Sequence, residues 1–236
     1  MSKLIDVLVD PESGIDHAAA AIAAGECVVL PTDTVYGIGA DALSAAAVQR
    51  LLNAKQRGRD LPPPVLIAEP AMLRSLAAEV NEAATALAAA FWPGALTLVV
   101  AAPANLRMDL GDRGDTIAVR IPDHGFTREL LRATGPLAVS SANTHGNPAA
   151  TTAAEAQRQL GDTVAVYLDA GAGSSPVPST IVDVTSDPPR VLREGRITRE
   201  QLIAVVGALA EDGPPPIEPA AELPPVEPAE TTHPDA

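Results

Sequence analysis

The chain has 236 residues, 30 acidic against 16 basic, a formal net charge of −14 and 2% aromatic residues. That balance excludes broad, sequence-blind binding to nucleic acid, which needs a basic face, and no stretch approaches the roughly 20 apolar residues that cross a bilayer. The single cysteine, Cys27, excludes an intrachain disulfide and a thiolate metal cluster, and the histidines His17, His124, His145 and His233 show no metal-ligand spacing.

In chain order, Met1 to Asp6 lacks the apolar core of a signal peptide, so the chain is expected in the cytoplasm with no membrane association. Residues 17–24 are alanine-rich and helical up to Gly25. Cys27-Val28-Val29-Leu30 reads as a buried strand stopped at Pro31, a residue that cannot extend its ladder. A helix is predicted over 44–54 with Ser44 as its N-cap, a short strand over 65–67, and two helices over 71–90. Strands follow at 96–101 and 116–121, a helix at 127–134 ended by Gly135-Pro136, and a strand at 137–139. A helix beginning near Thr151, strands at 164–168, 180–184 and 190–192 and a helix at 199–209 complete the pattern. Interleaved strands and helices, with strands crowding toward the C-terminus, predict an α/β fold with a twisted, mixed parallel and antiparallel sheet.

From Glu211 onward there are eight prolines, seven Asp or Glu and no Lys or Arg. Such a segment cannot bury enough apolar surface to offset its ordering entropy. We therefore read 1–210 as one domain and 211–236 as a disordered acidic tail. Without the tail the body holds 23 acids against 16 bases, a net −7, so the overall charge overstates the acidity of the folded part.

Neither Gly-x-Ser-x-Gly nor a glycine loop closing on Gly-Lys-Ser/Thr is present, and Gly171 to Ser175 lacks the strand-then-helix context of a phosphate loop. Instead, four short apolar strands end in groups that bind anions or amides: Thr32-Asp33-Thr34, Thr116 to Arg120, Ser140-Ser141-Ala142-Asn143, and Ser179-Thr180 with Arg193 downstream. Polar strand ends are where open α/β sheets place ligands, although a capped turn also uses one or two such residues. Arg120 sits among Ile117, Ala118, Val119 and Ile121. A guanidinium there is either the buried partner of an Asp or a bidentate clamp on a carboxylate or phosphate. Lys55, Arg57 and Arg59 fall within five residues, and Lys3 is the only other lysine. They form either an exposed helix end or an anion site. Ser141 and Asn143 suit a phosphate or a nucleobase, or a simple turn.

Taken together, seven ordered motifs carry a specific resemblance. They are Pro31-Thr32-Asp33-Thr34-Val35-Tyr36-Gly37-Ile38-Gly39, Lys55-Gln56-Arg57, Phe91-Trp92-Pro93-Gly94-Ala95-Leu96-Thr97, Val119-Arg120-Ile121-Pro122, Ser140-Ser141-Ala142-Asn143, Pro178-Ser179-Thr180-Ile181-Val182-Asp183 and Leu192-Arg193. In this order the chain, over residues 14–209, resembles the YrdC-like family, the L-threonylcarbamoyladenylate synthases of tRNA modification, in their short form. The resemblance implies a concave sheet whose large positive cavity takes ATP, L-threonine and bicarbonate, with Mg2+ on the ATP phosphates and no metal ligand from a protein side chain. It implies that Thr34, Arg120 and Ser179 hold the threonine. Lys55, Arg57, Thr116, Ser141, Asn143 and Arg193 would surround the nucleotide, with Lys55, Arg57 and Arg120 neutralising the reacting anions.

The resemblance further implies pyrophosphate release, tRNA threonylcarbamoyltransferases as downstream partners and a tRNA contact. Catalysis then consists of alignment and charge neutralisation, with no general base assigned and Asp33 expected as scaffold. On this reading Arg120→Ala loses threonine affinity with little loss of fold. The alternative is a non-catalytic RNA-binding module of tRNA or ribosome maturation. Two departures from the family pattern bear on the ATP contacts: Leu61 replaces a polar residue, with Arg59 as the candidate replacement charge, and Ala149 stands where Ser is frequent.

Overall fold

In the computed structural model, which describes residues 2–112, 114–173 and 175–211, the strands are β1 (Lys3–Asp6), β2 (Val28–Leu30), β3 (Gly37–Asp41), β4 (Val65–Leu66), β5 (Leu96–Ala101), β6 (Thr116–Arg120), β7 (Leu137–Ser141), β8 (Val166–Asp169), β9 (Thr180–Asp183) and β10 (Arg190–Arg193). The helices are α1 (Pro11–Ala23), α2 (Ala45–Lys55), α3 (Leu73–Leu76), α4 (Glu82–Phe91), α5 (Gly125–Thr134), α6 (Ala153–Leu160) and α7 (Arg199–Val206). All ten strands join one sheet in the order β1-β8-β2-β3-β7-β4-β6-β5-β9-β10. The pairs β1–β8, β8–β2, β4–β6 and β5–β9 are parallel and the others antiparallel, which is the mixed α/β sheet that the sequence predicts. The expected acidic tail lies outside the described residues beyond Glu211. Among the described residues no helix is long and apolar enough to cross a membrane.

The strand side chains explain where a cavity forms. Alternate residues of a strand face opposite sides of the sheet. Val28 and Leu30 pack into a core with Leu130 and Leu131 of α5 and Ala18 and Ile22 of α1, whereas Val29 packs into the core on the other face with α2 and α6. Burial on both faces is why β2 is a continuous apolar run. Further along the sheet, Val65, Leu98, Ile117, Val119 and Val182 keep the second core intact. Their neighbours on the opposite face are Thr97, Val99, Thr116, Ala118, Arg120 and Ile181, none of which belongs to the α1–α5 core. Register places them on one side: Thr97 pairs with Arg120 and with Ile181, and Val99 with Ala118. The sheet is thus covered by helices on this face at one end and lined with polar groups at the other.

Several elements differ from the sequence reading for local reasons. Helix α1 starts at Pro11 rather than near His17, because Asp10 caps it by accepting from Ser13 N and Pro11 needs no donor at the first helical position. The predicted pair of helices over 71–90 is a 3-10 turn at Pro70–Met72 running into α3, followed by α4. The end of the opening motif is a strand, β3, antiparallel to β2 and β7. Its glycines hide the strand signal but are required by packing. A Cβ on Gly37 would lie 2.6 Å from Val139 Cγ1, and one on Gly39 would lie 3.0 Å from Leu30 Cδ2. The polar edge strand β1 carries no hydrophobic alternation and escapes the sequence reading. As predicted, Ser44 caps α2 through Ala47 N.

Candidate active site

The uncovered end of the sheet encloses a cavity of about 480 Å³. Arg120 enters it from the last position of β6, where its backbone is held between β4 and β5. Its Nε donates to Gly94 O at 3.0 Å, Nη1 to Thr34 Oγ1 at 3.1 Å and Nη2 to Asp33 Oδ1 at 2.7 Å. The buried-partner alternative holds, since Arg120 is ion-paired to a buried Asp, and the same guanidinium also lines the cavity. Burial lowers the Arg120 pKa and Asp33 opposes that shift. Because Asp33 and Arg120 are 8% and 7% exposed, removing either leaves a buried charge, which corrects the expectation that Arg120→Ala spares the fold. Asp33 is scaffold. It does not line the cavity, and Oδ1 also accepts from Asp123 N at 3.0 Å, which fixes the start of the loop into α5.

Thr34 lines the cavity beside Arg120. Its loop is closed by Thr32, whose hydroxyl donates to Val35 O at 2.7 Å and accepts from Thr34 N at 3.1 Å. Across the cavity, Ser179 Oγ lies 2.9 Å from Thr97 Oγ1 and accepts from Arg193 Nη2 at 3.2 Å. Arg193 also donates from Nε and Nη2 to Ser179 O at 3.1 and 2.8 Å, a forked clasp that joins β10 to the start of β9. Partial burial, then the proximity of Arg120 and Arg57, hold its guanidinium below the usual arginine range.

Gly195 lets this clasp form, since a Cβ there would lie 2.3 Å from Pro178 O and 2.6 Å from Ser179 C. Gly195→Ala is therefore expected to cost about 1–3 kcal/mol through overpacking and to loosen the clasp between Arg193 and Ser179. Thermal unfolding together with amide exchange over residues 178–181 checks both effects.

The third wall comes from the end of α2 and from β7. Gln56 caps α2 in the left-handed conformation, φ 53°, and Arg57 N returns to Leu52 O at 3.0 Å. That turn sends Lys55 and Arg57 to different places. Arg57 lines the cavity and donates from Nη1 to Ser140 Oγ at 3.1 Å, while its buried Nε has no hydrogen-bond partner among the described residues. Burial lowers the Arg57 pKa, with Asp60 opposing the shift. Lys55 does not line the cavity. Its Nζ donates to Ser141 O at 2.5 Å, Asn143 O at 2.7 Å and Asn143 Oδ1 at 3.3 Å. Asn143 lines the cavity, yet its amide nitrogen is spent on Thr144 O and Asn147 O. Ser141 and Thr116 line it as well.

The structure thus brings Thr34, Arg57, Thr116, Arg120, Ser141, Asn143, Ser179 and Arg193 to one cavity and leaves Lys55 behind its wall. It adds Thr97, and it brings in Thr32 and Ser140, which the sequence placed at polar strand ends without a particular ligand role. Thr97 had a usable signal, a lone hydroxyl in the apolar run of β5, the same kind of irregularity that singles out Arg120. Leu61 and Ala149 both line the cavity, so the two departures fall on its surface. Arg59 does not replace the missing polar group, because its guanidinium is bound to Asp109 at 2.5 Å and Asp112 at 3.1 Å and it lies off the cavity wall. Three guanidinium groups line the cavity against one carboxylate, Asp60, with Asp33 paired to Arg120 off the wall, and this positive excess makes a site for anions.

Comparison with known proteins places the fold and the family. The Sua5/YciO/YrdC family profile, described as "Telomere recombination", matches residues 20–195. A Mycobacterium tuberculosis protein, provisionally named a threonylcarbamoyl-AMP synthase, is 51% identical over 201 residues, covering 84% of this chain and 93% of its own length. The threonylcarbamoyl-AMP synthase of Bacillus subtilis is 38% identical over 205 residues, covering 86% of this chain but 59% of its own. Among solved structures, Pyrococcus abyssi Sua5 complexed with L-threonine superposes with a TM-score of 0.80 at 35% identity, over 89% of this chain and 62% of that one. Escherichia coli YciO, with a TM-score of 0.70 at 24% identity over 83% of this chain and 97% of its own, shares the fold. With the profile spanning most of the folded body and the motif residues gathered in one cavity, the chain belongs to the Sua5/YciO/YrdC family.

Proposed function

We propose that this chain is a threonylcarbamoyl-AMP synthase. It joins L-threonine, bicarbonate and ATP into L-threonylcarbamoyladenylate and releases pyrophosphate, for threonylcarbamoyladenosine modification of tRNA next to the anticodon. The observation that carries this reading is the cationic cavity, where Arg57, Arg120 and Arg193 converge and Arg57 Nε is buried without a partner. An orphaned buried donor costs about 1–3 kcal/mol, and an anionic ligand that accepts from it removes that cost.

The reaction needs no nucleophile from the protein. The amine of threonine condenses with bicarbonate, losing water, to give a carbamate. A carbamate oxygen then attacks the α-phosphorus of ATP, the bond to the β-phosphate oxygen breaks, and pyrophosphate leaves. Nucleophile and electrophile are both anionic, so the protein's contribution is alignment and charge neutralisation. Two of the five N–H groups of Arg120 remain after its bonds to Gly94, Thr34 and Asp33, enough for a carboxylate fork. In this arrangement Arg120 holds the threonine carboxylate, with Thr34 and Ser179 completing the amino-acid pocket. Arg57 and Arg193 face the phosphates, and Thr116, Ser141 and Asn143 border the nucleotide.

Mg2+ bound to ATP takes much of its coordination from phosphate oxygens and water. It belongs to this proposal as the companion of the ATP phosphates, and no step above depends on a protein ligand to it. As a nucleotidyltransferase of the cytoplasm formed by residues 1–210, the protein passes its labile product to a tRNA threonylcarbamoyltransferase. Incubation with ATP, L-threonine and bicarbonate is expected to release pyrophosphate only when all three are present. Release that ignores threonine contradicts the proposal.

A further inference from the structure

Lys55 is the one implied nucleotide contact that the fold turns away from the cavity. It is 2% exposed, and the three N–H groups of its ammonium are matched by three acceptors, Ser141 O, Asn143 O and Asn143 Oδ1. The lacing is reciprocal, because His145 N donates to Lys55 O at 2.7 Å. Helix α2 therefore grips the 141–145 loop through both the backbone and the side chain of its last residue. Asn143, whose amide nitrogen reaches Thr144 O and Asn147 O, extends this hold to the rest of the turn.

None of the ion pairs among the described residues involves Lys55. Burying an ammonium against carbonyl dipoles alone is costly. Burial, and secondarily Arg57, push its pKa down to about 8. A carboxylate partner would lessen that cost, but it would also cancel a positive charge directly behind the cavity wall.

We infer that Lys55 is a positioning residue: it builds the Ser141–Asn143 wall from behind, lends that wall its charge, and does not touch the phosphates. The inference rests on the proposed nucleotide site, but it concerns how the wall is made and can be tested without turnover. Lys55 and Lys3 are the only lysines, and Lys3 is exposed, so amine acylation followed by peptide mass spectrometry compares one buried and one reference side chain in the unaltered protein. Lys55 is expected to label at least about tenfold more slowly than Lys3, equally with and without inorganic tripolyphosphate. Ready labelling of Lys55, or labelling that tripolyphosphate changes, overturns the inference.

Lys55→Met supplies a second reading. Without nucleotide, amide exchange over residues 141–147 is expected to rise about tenfold, and in turnover the KM for ATP is expected to rise by a similar factor while the KM for threonine holds. Unchanged exchange, or a fall in kcat with both KM values unchanged, contradicts it. Should the variant fail to fold, the labelling result on the wild-type protein stands alone. Failure of pyrophosphate release would overturn the proposed reaction and leave the labelling comparison unaffected.

Discussion

Arg120→Met is expected to lose both function and stability: about 100-fold in kcat/KM for L-threonine, and about 3–5 kcal/mol of folding free energy. The first loss follows from removing a charge-assisted fork on a carboxylate, since each hydrogen bond to a charged group contributes about 1.5–3 kcal/mol. The second follows from Asp33, which is 8% exposed and would keep its charge without its partner at 2.7 Å. Gly94 O and Thr34 Oγ1 lose their donor as well. Asp33→Asn in the Arg120→Met background removes the stranded charge while keeping an oxygen for Asp123 N. The double variant is expected to recover part of the stability and none of the activity. Urea unfolding and threonine-dependent turnover on the two variants separate the scaffold role of the pair from the ligand role of Arg120. A variant that loses stability but keeps its threonine KM would remove Arg120 from the amino-acid pocket.

Arg57→Met is expected to behave in the opposite way. Among the described residues its guanidinium has one hydrogen-bond partner, Ser140 Oγ at 3.1 Å, and a buried Nε that no acceptor meets. Losing contacts to a triphosphate is expected to raise the KM for ATP by about 10–100-fold. Removing an unsatisfied buried donor, whose desolvation costs about 1–3 kcal/mol, is expected to leave stability unchanged or raise it. Steady-state turnover at varied ATP and a denaturant midpoint measure the two effects. The contrast with Arg120 has a physical basis: one arginine is ion-paired inside the protein, and the other keeps a buried donor open to a ligand. Sites of the second kind are where function is retained at the expense of stability.

Most of the site is legible in the sequence because its residues interrupt apolar strands. Arg120 in Thr116–Arg120 and Thr97 in Leu96–Ala101 are polar side chains at alternate positions, and register alone puts them on one face. What the sequence does not show is the direction a side chain takes where the chain turns. Lys55 and Arg57 are two residues apart at the end of α2, and the left-handed Gln56 between them separates a buried anchor from a cavity residue. Nor does spacing tell which partner a guanidinium meets. Arg59 belongs by proximity to the same basic cluster, yet Asp109 and Asp112, some fifty residues on, take it out of the site. Glycine strands are the other blind spot. Gly37–Asp41 has little strand propensity of its own and forms a strand because Val139 and Leu30 pack where side chains would have been.

The most direct test of the account is the identity of the adenylate. Incubated with ATP, L-threonine and 13C-bicarbonate, the protein is expected to form an AMP conjugate of threonine that carries the label in its carbamoyl carbon, detected by mass spectrometry before it decays. An unlabelled threonyl adenylate, in which the amino-acid carboxylate itself attacked the α-phosphate, would contradict the assignment of Arg120 as the carboxylate clamp and the proposed reaction with it.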